Sequence, residues 1–331
     1  MQEQVAAGID IGGTNTIIGL INERGECLAK ESIKTWDYPR VEEFVERLHA
    51  IAVAMSATAG ASIAGVGVGA PAGNPDRGTI HASNLPWQGV VPIAALFEAR
   101  FRLPVFVTND AKAAVLGEMT YGGAREMKNF AVVTLGTGLG CGIVLNGEII
   151  YGHDGFAGEL GHVIVTPGGR SCKCGRRGCL ETYVSATGIK RTAIELLATE
   201  IEDSPLRSIP LPELGSVAID EAAARGDSIA LKTFRRSGEV LGLALANLAA
   251  VIHPEAIFLQ GGAARAGAWF HDAVKQAMND NLLFLYKGKI SVQRSTLHGG
   301  AIIGASALVW RATGMSGKGG SVTPPAPPSN P

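Results

Sequence analysis

The chain has 331 residues, 46% of them hydrophobic and 18% charged, so it is long enough for two domains with cores of their own. A net charge of −1 excludes a general basic field for nucleic acid or an anionic membrane surface. No apolar run reaches the length of a membrane span, and the polar residues 1–4 predict no signal peptide. We therefore expect a cytoplasmic protein with reduced cysteines, no nucleic-acid partner and no membrane partner.

The first half of the chain is predicted to alternate strands and helices. Apolar runs bounded by turn residues predict the strands, and apolar residues at three- and four-residue spacing predict the helices. The predicted strands lie within Val5–Leu20 (two strands around a glycine turn), Glu26–Ile33, Ile63–Gly69 and Val105–Thr108. The predicted helices are Val41–Met55, Val91–Phe101 and Ala111–Met119.

A second half begins near Tyr121 and repeats the opening pattern. Strand, glycine turn and strand occur at Ile9–Leu20 and again at Val132–Leu145, which suggests two related α/β halves. Helical patterns then dominate, and a late strand feeds Gly261 and Gly262. The elements predicted here are strands Phe130–Leu135, Cys141–Leu145 and Ala256–Gln260, a hairpin turn at Asn146–Gly147, and helices Gly238–Ile252 and Gly300–Trp310.

Four side chains of the types that bind zinc lie within 18 residues. They are His162, Cys172, Cys174 and Cys179. One imidazole and three thiolates match the nitrogen and sulfur ligands that tetrahedral Zn²⁺ prefers. Because four protein ligands fill the coordination shell and leave no position for water, we predict a structural rather than a catalytic zinc ion.

The cysteines allow two other interpretations. A disulfide is disfavoured, because three clustered thiols leave one unpaired and nothing marks the chain as secreted. The remaining cysteines, Cys27 and Cys141, lie in strand-like or apolar surroundings, so we expect both to be small buried hydrophobic residues.

Two glycine-rich turns, DIGGTNT at 10–16 and LGTGLG at 135–140, each join two predicted strands. Glycines without Cβ let backbone N–H groups approach a phosphate, and Thr14 and Thr16 can add hydroxyl donors. Asp10, at the end of its strand, can hold Mg²⁺ through water. One such turn alone is equally well a plain hairpin, but two of them suggest a nucleotide clamp. Neither has the Gly-Lys-Ser/Thr ending of a P-loop, and neither opens a helix as dinucleotide loops do.

The segment Thr108-Asn109-Asp110 follows a strand and precedes a helix. Asp110 would cap that helix, or would act as the base that takes a proton from an attacking hydroxyl while Asn109 bonds a neighbouring one. The loop Ser83–Trp87 combines polar residues with an aromatic, which suits a polyol substrate but is equally typical of a surface turn.

Taken together, these segments resemble the ROK family (repressor, open reading frame, kinase), and most of all its zinc-containing bacterial glucokinases. The resemblance spans about Val5–Trp310, with the motifs in the family's order. Residues 10–14 resemble the first phosphate motif, 135–140 the second, and 260–262 the adenosine motif. Residues 158–162 and 172–181 resemble the family signature.

The resemblance implies an α/β protein with the actin-like ATPase (ribonuclease H-like) fold, two α/β lobes and an interlobe cleft. We expect a small lobe from 1–119 and 299–313, a large lobe with the zinc knuckle from 120–298, and a disordered tail at 314–331, which is rich in Gly, Ser and Pro. The family's repressors carry an N-terminal helix-turn-helix, for which the chain before Asp10 leaves no room.

The resemblance also implies ATP-dependent phosphorylation of glucose at its 6-hydroxyl, with ATP, Mg²⁺ and structural Zn²⁺ as cofactors, and a homodimer or homotetramer in carbohydrate metabolism. Asp110 would be the general base, and one ring nitrogen of His162 would bind zinc while the other meets the sugar. The implied sugar-binding residues are Gly73, Asn84, Asn109, Asp110, Glu159, His162 and Glu181. The implied nucleotide-binding residues are Asp10, Gly12, Gly13, Thr14, Asn15, Thr137, Gly138, Gly261 and Gly262.

Three alternatives stay open from the sequence. One is a kinase for mannose, N-acetylglucosamine, N-acetylmannosamine or fructose, because small loop shifts could admit another hexose. The second is a sugar-sensing regulator without kinase activity, against which the intact phosphate turns argue. The third is a zinc-held binding module, which the lack of net positive charge disfavours.

Overall fold

The computed structural model describes residues 2–81, 84–297 and 299–314. Within them the chain forms two compact units. One comprises the described residues up to Glu126, the segment Ile149–Ala157 and the described residues from Thr296 onward, and the other comprises Met127–Glu148 and Gly158–Ser295. The lobe boundaries given above stay predictions. Of the predicted disordered tail, all but Gly314 lies outside the described residues.

The first unit is built around a five-stranded sheet. Its elements are β1 (Glu3–Ile11), β2 (Asn15–Asn22), β3 (Cys27–Lys34), α1 (Val41–Ala59), β4 (Ala61–Ala70), β5 (Gly73–Asn74), β6 (Thr79–His81), β7 (Val90–Val91), α2 (Ile93–Phe101), β8 (Val105–Asn109), α3 (Asp110–Thr120) and, from the end of the chain, α9 (Gly300–Ala312). The sheet order is β3-β2-β1-β4-β8, and the short strands β5 to β7 form a separate sheet.

Within this sheet, β1 is antiparallel to β2 but parallel to β4, and β4 is parallel to β8. The central strand β1 is buried along most of its length, as expected for a strand covered on both faces. The edge strand β3 is largely exposed, and Cys27 at its start is exposed as well. The prediction that Cys27 is buried is therefore wrong, because Cys27 lies at the exposed start of an edge strand; Cys141 is buried as predicted.

Helix α9 packs directly on the backbone of the first sheet. A Cβ at Gly8 would lie 2.1 Å from the Ile302 oxygen, and one at Gly67 would lie 1.8 Å from the Ala305 oxygen. Any side chain at these glycines would therefore force the helix away from the sheet. The last described helix thus completes the layer that covers the first strands of the chain.

The second unit has its own five-stranded sheet. Its elements are β9 (Phe130–Leu135), β10 (Leu139–Leu145), β11 (Glu148–Ile149, which ends at the boundary of the unit), α4 (Glu181–Val184), α5 (Ala186–Thr199), α6 (Ser216–Ala224), α7 (Ser228–Ile252), β12 (Ala256–Gln260), α8 (Ala268–Asn281) and β13 (Ser291–Arg294). The sheet order is β11-β10-β9-β12-β13.

The two sheets share one topology. In each, an antiparallel pair joined by a glycine turn is extended by two parallel strands: β9 is antiparallel to β10 and parallel to β12, and β12 is parallel to β13. The internal repeat predicted from the sequence is confirmed by this match. The predicted strands at 130–135 and 256–260 agree with β9 and β12 residue for residue.

Helix α7 forms the core of the second unit together with α8 and the sheet. Small residues allow the two helices to approach closely: a Cβ at Gly242 would lie 2.5 Å from the Val274 oxygen. Across the described residues, no helix combines the length and the apolar character needed to cross a membrane.

Candidate functional site

The four predicted zinc ligands are brought together in the second unit. The ligand atoms of His162, Cys172, Cys174 and Cys179 all lie within 4.8 Å of one another. The Cys172 Sγ to His162 Nδ1 distance is 3.7 Å, and the Cys174 Sγ to Cys179 Sγ distance is 3.6 Å. Zinc–sulfur bonds of about 2.3 Å imply tetrahedral edges of about 3.8 Å. The donor set and its spacing therefore fit a tetrahedral zinc ion.

The backbone of this metal cluster is a compact knuckle. Isolated bridges pair Ile164 with Cys179 and Ser171 with Arg177. Gly178 has a φ of +82°, and a Cβ there would lie 1.8 Å from the Thr166 oxygen. Only glycine satisfies both conditions. The glycines of the knuckle thus bring the three cysteines to one point.

His162 presents its two ring nitrogens to different neighbours. Its Nδ1 faces the cysteine sulfurs, and its Nε2 lies 4.0 Å from the Oε2 of Glu159. The Glu159 side chain is exposed, whereas that of His162 is 28% exposed. A ring fixed through Nδ1 would present Nε2 to a ligand in a constant orientation, as expected when a metal orients a histidine.

The first glycine turn joins β1 to β2 and is supported from one side by residues that follow β3. Gly12 N donates to Asn15 O at 3.0 Å, which closes the turn. The Thr35 hydroxyl donates to Gly12 O at 2.8 Å, and Trp36 Nε1 donates to Gly13 O at 2.7 Å. The residues at the tip of the turn, Gly13, Thr14 and Asn15, are exposed. Their backbone is therefore accessible to a ligand.

Thr16 does not have the role predicted for it. Its side chain is fully buried, and its hydroxyl lies 2.9 Å from the hydroxyl of Thr35. Because the Thr35 proton goes to Gly12 O, the Thr16 hydroxyl donates to Thr35. The prediction that Thr16 offers a hydroxyl to phosphate is therefore wrong, and the exposed Thr14 is the hydroxyl that a ligand can reach.

Two carboxylates lie at the carboxyl ends of the parallel strands in the first sheet. Asp10 pairs with Gly69 of β4, which pairs with Thr108 of β8, and Asp110 follows two residues later. Burial, followed by the nearby Asp110 charge, raises the pKa of Asp10 from 3.8 to about 7. Burial also raises the pKa of Asp110, although the Ala111 N–H opposes this shift. These are the electrostatics of a proton-transfer or metal-binding site.

Asn109, rather than Asp110, caps helix α3. The Asn109 Oδ1 accepts from the N–H groups of Ala111 and Lys112 at 3.0 and 3.4 Å. Asp110 is the first helical residue, and its Oδ1 accepts from Ala111 N at 2.8 Å. The capping role predicted for Asp110 as an alternative is thus filled by its neighbour, which leaves Asp110 at the positive end of the helix dipole.

The other sugar-binding residues predicted in the first unit lie near this sheet edge. Gly73 is buried, and a Cβ there would lie 2.2 Å from the Thr108 oxygen. Asn84 is exposed, and its backbone oxygen is 3.3 Å from the position of a Cβ on Gly13. The aromatic of that loop, Trp87, is buried and packs against the ring of Phe44 instead of facing a polyol. Ser83 lies outside the described residues.

The second glycine turn joins β9 to β10 and contacts Glu181. Leu139 N donates to Glu181 Oε2 at 2.9 Å, and Thr137 is exposed at the tip. After β12, Gly261 has a φ of +103°, and a Cβ there would lie 2.6 Å from the Leu135 oxygen. The predicted adenosine motif and the second phosphate motif therefore begin side by side, at the ends of paired parallel strands.

Sequence reasoning missed Lys112. This lysine is 2% exposed, and its ammonium donates to Gly155 O at 2.9 Å and to Ala157 O at 3.0 Å. It thereby holds the segment Ile149–Ala157 within the first unit, and its charge partly offsets the rise in the pKa of Asp110. The sequence TNDAKAAVLG contained one signal of this burial: a lysine flanked by alanines inside a predicted helix.

Two sheets of ribonuclease-H-like topology, each with a glycine turn between its first two strands, define an actin-like ATPase fold, here with a His/Cys cluster in the second unit that fits a metal ion. The chain belongs to the ROK family, whose family model matches residues 6–312. The predicted fold class and family are confirmed.

Individual relatives agree with this membership. The chain is 37% identical to a glucokinase of Halalkalibacterium halodurans over 290 residues, which cover 83% of this chain and 86% of the relative. It is 28% identical to a xylose repressor of Caldicellulosiruptor bescii over 91% of this chain and 77% of the repressor. The structure of a ROK family glucokinase from Streptomyces griseus in complex with glucose and AMPPNP is similar, with a TM-score of 0.81 and 32% identity, covering 92% of this chain and 98% of that one.

Proposed function

We propose that this protein is an ATP-dependent glucose kinase that forms glucose 6-phosphate. The relatives named above as glucokinases support the substrate, and the Streptomyces griseus complex with glucose and AMPPNP supports both the sugar and the nucleotide. The intact glycine turns at 10–16 and 135–140 favour a kinase over a regulator that lacks catalysis.

One observation carries the proposal: a buried carboxylate of raised pKa, Asp110, at the carboxyl end of a parallel strand beside Asp10. A base needs a pKa near the working pH in order to be ionised and still accept a proton. Ligands of open α/β sheets bind at the carboxyl ends of the strands. Burial shifts the pKa of Asp110 upward, in the direction that a base requires, and its place directly after β8 meets the second requirement.

In the proposed reaction the glucose 6-hydroxyl oxygen attacks the γ-phosphorus of ATP. A new oxygen–phosphorus bond forms, the bond between the γ-phosphorus and the bridging oxygen breaks, and ADP leaves with that electron pair. Asp110 accepts the hydroxyl proton as the bond forms. Catalysis of this kind depends mainly on positioning and charge stabilisation rather than on covalent intermediates.

Sugar hydroxyls are held by Asn109, Glu159, His162 and Glu181 in this proposal, with Asn84 and the backbone of Gly73 completing the set. The orientation of His162 supports its part, since Nδ1 faces the cysteine sulfurs and Nε2 points the other way, toward Glu159. A zinc ion bound to the knuckle would supply a fixed ring angle and tautomer.

Nucleotide phosphates are held by the exposed turn residues, with Thr14 and Thr137 as hydroxyl donors and Gly261 and Gly262 beside the adenosine. Magnesium, when bound, would neutralise phosphate charge, and Asp10 is the residue that fits it. We further expect a homodimer or homotetramer and a cytoplasmic location, which light scattering and cell fractionation would test.

A sugar panel tests this proposal directly. Release of ADP is coupled to a spectroscopic readout, with glucose, mannose, fructose, N-acetylglucosamine and N-acetylmannosamine as acceptors and ATP, GTP or polyphosphate as donors. We expect the highest kcat/KM with glucose and ATP. A clear preference for another hexose would show that glucose is not the main substrate. Sugar binding without ADP release would instead indicate a sugar-sensing regulator.

A further inference from the structure

The second glycine turn is attached to the chain that follows the metal cluster by three hydrogen bonds. Leu139 N donates to Glu181 Oε2 at 2.9 Å, and Ala186 N donates to Gly136 O at 2.9 Å. The Thr187 hydroxyl donates to Thr137 O at 3.0 Å. The turn is therefore held along its length by a single segment, residues 181–187.

The Glu181 carboxylate and the turn sequence fit each other. A Cβ on Gly138 would lie 2.6 Å from Glu181 Oε2, closer than real side-chain carbons approach. The carboxylate thus occupies the space that a side chain at this position would fill. Glu181 packs against the turn as well as accepting a hydrogen bond from it.

The segment that holds the turn is itself well anchored. Cys179, a predicted zinc ligand, is fully buried two residues before Glu181, and Leu180 N donates to Val163 O at 2.9 Å. The buried Ser185 donates to Glu181 O at 2.8 Å and accepts from Gly188 N at the start of α5. A carboxylate on such a segment has little freedom to move.

We propose that Glu181 is a positioning residue for the nucleotide, which acts by holding the second glycine turn in the conformation that receives phosphate. This inference rests on the proposed function and goes beyond the sugar contact predicted for the same residue. It makes the segment after the metal knuckle a shared support for the sugar-binding and nucleotide-binding groups of the second unit.

The charge of Glu181 distinguishes this role from direct nucleotide binding. A carboxylate repels phosphate, so its contribution to nucleotide affinity comes from the oxygen that accepts from Leu139 N. An amide oxygen in the same place would accept the same hydrogen bond. Glu181→Gln therefore preserves the support for the turn, whereas Glu181→Ala removes it.

A second variant tests the attachment of the second glycine turn at a residue that is not predicted to bind sugar. Thr187→Val removes the hydroxyl that donates to Thr137 O and keeps the side-chain shape. Thr199→Val, at the other end of the same helix α5, is the matched control, because among the described residues the exposed Thr199 hydroxyl bonds only to carbonyls of its own helix. Circular dichroism and zinc content would verify that each variant is folded.

The experiment is isothermal titration of the magnesium complex of AMPPNP into the zinc-loaded protein without sugar. We expect the dissociation constant to rise about tenfold for Glu181→Ala and about threefold for Thr187→Val, and to stay within about twofold for Glu181→Gln and Thr199→Val. A sugar-only role would leave the nucleotide affinity of Glu181→Ala unchanged, which would overturn this inference alone. Equal losses in Glu181→Gln and Glu181→Ala would also overturn it. Failure of the wild type to bind AMPPNP would instead contradict the proposed function, and this inference with it.

Discussion

The two glycine turns have the same place in their sheets but different supports. The first, at 10–16, is held by the side chains of Thr35 and Trp36, which follow the edge strand β3. The second, at 135–140, is held by Glu181 and Thr187, which follow the metal knuckle. Equivalent hairpins in a repeated fold thus depend on unrelated parts of the chain.

The fold therefore provides the hairpin in both units, whereas contacts specific to each turn provide its rigidity. The first turn is supported close by in sequence and lies beside the acidic pair Asp10 and Asp110. The second depends on a segment that a metal would brace. Losing the metal, changing the pH and removing one hydroxyl should therefore affect the two turns differently.

Loss of the metal should have the largest effect, and only on the second turn. Cys174 is exposed, so Cys174→Ser removes a ligand without disturbing the core. We expect loss of zinc, a fall of about 10 °C in the thermal midpoint of unfolding, and faster hydrogen exchange at Gly136–Leu139, because metal binding contributes folding free energy.

The matched control is Cys27→Ser, which changes the other exposed cysteine, in an edge strand outside the cluster. It should retain one zinc ion per chain and an unchanged midpoint. Hydrogen exchange at the first turn, followed at Gly12 and Gly13, should be the same in all three proteins. Equal acceleration at both turns would show that their supports are not separate.

The second effect depends on pH and concerns the first unit. Asp10 has a pKa of about 7 in the folded protein against 3.8 ordinarily, so between these values the folded state binds more protons than the unfolded state. The contribution of Asp10 to the free energy of unfolding should therefore fall as pH rises from about 4 to 7, by on the order of 4 kcal/mol, and level off above 7. The charges facing Asp10 and Asp110 that enter this balance are each other and Lys112.

Denaturant unfolding of wild type and Asp10→Asn in magnesium-free buffer measures this dependence. The amide cannot ionise, so the variant should lose most of the decline and exceed the wild type in stability near pH 8. Parallel pH curves for the two proteins would show that Asp10 keeps its ordinary pKa and that the acidic pair is not coupled.

The smallest effect concerns a single hydroxyl at the first turn. Thr35→Val leaves the Gly12 oxygen and the buried Thr16 hydroxyl without the partner they share. We expect a loss of about 2 kcal/mol in the free energy of unfolding, because buried polar groups would be left unsatisfied. Thr58→Val, where an exposed threonine bonds its own helix, should change it by less than about 0.5 kcal/mol.

Much of the fold could be predicted from the sequence, because apolar periodicity and turn residues are local signals. The strands β9 and β12 were predicted with their observed ends, and the repeated hairpin correctly indicated two sheets of one topology. The short strands β5 to β7 were not predicted, because two- and three-residue strands are too short to show a periodicity.

The candidate site was predictable as far as residue types go, but not in its contacts. The cluster of candidate zinc ligands was predicted from the number and types of its side chains, since one imidazole and three thiols in a short segment are rarely used otherwise. The capping by Asn109 is a local contact, but Asn and Asp cap helices equally well and stand side by side here. The burial of Thr16 and the partners of the buried Lys112 depend on residues distant in the chain or on the layer that covers them. No local pattern encodes such partners.

The most direct test of the proposed function is the turnover of Asp110→Asn with glucose and the magnesium complex of ATP. The amide keeps the size of the side chain but cannot accept the proton of the 6-hydroxyl. We expect kcat to fall by about 10³-fold or more, with zinc content and thermal stability close to wild type. Turnover within about threefold of wild type would contradict the assignment of Asp110 as the base.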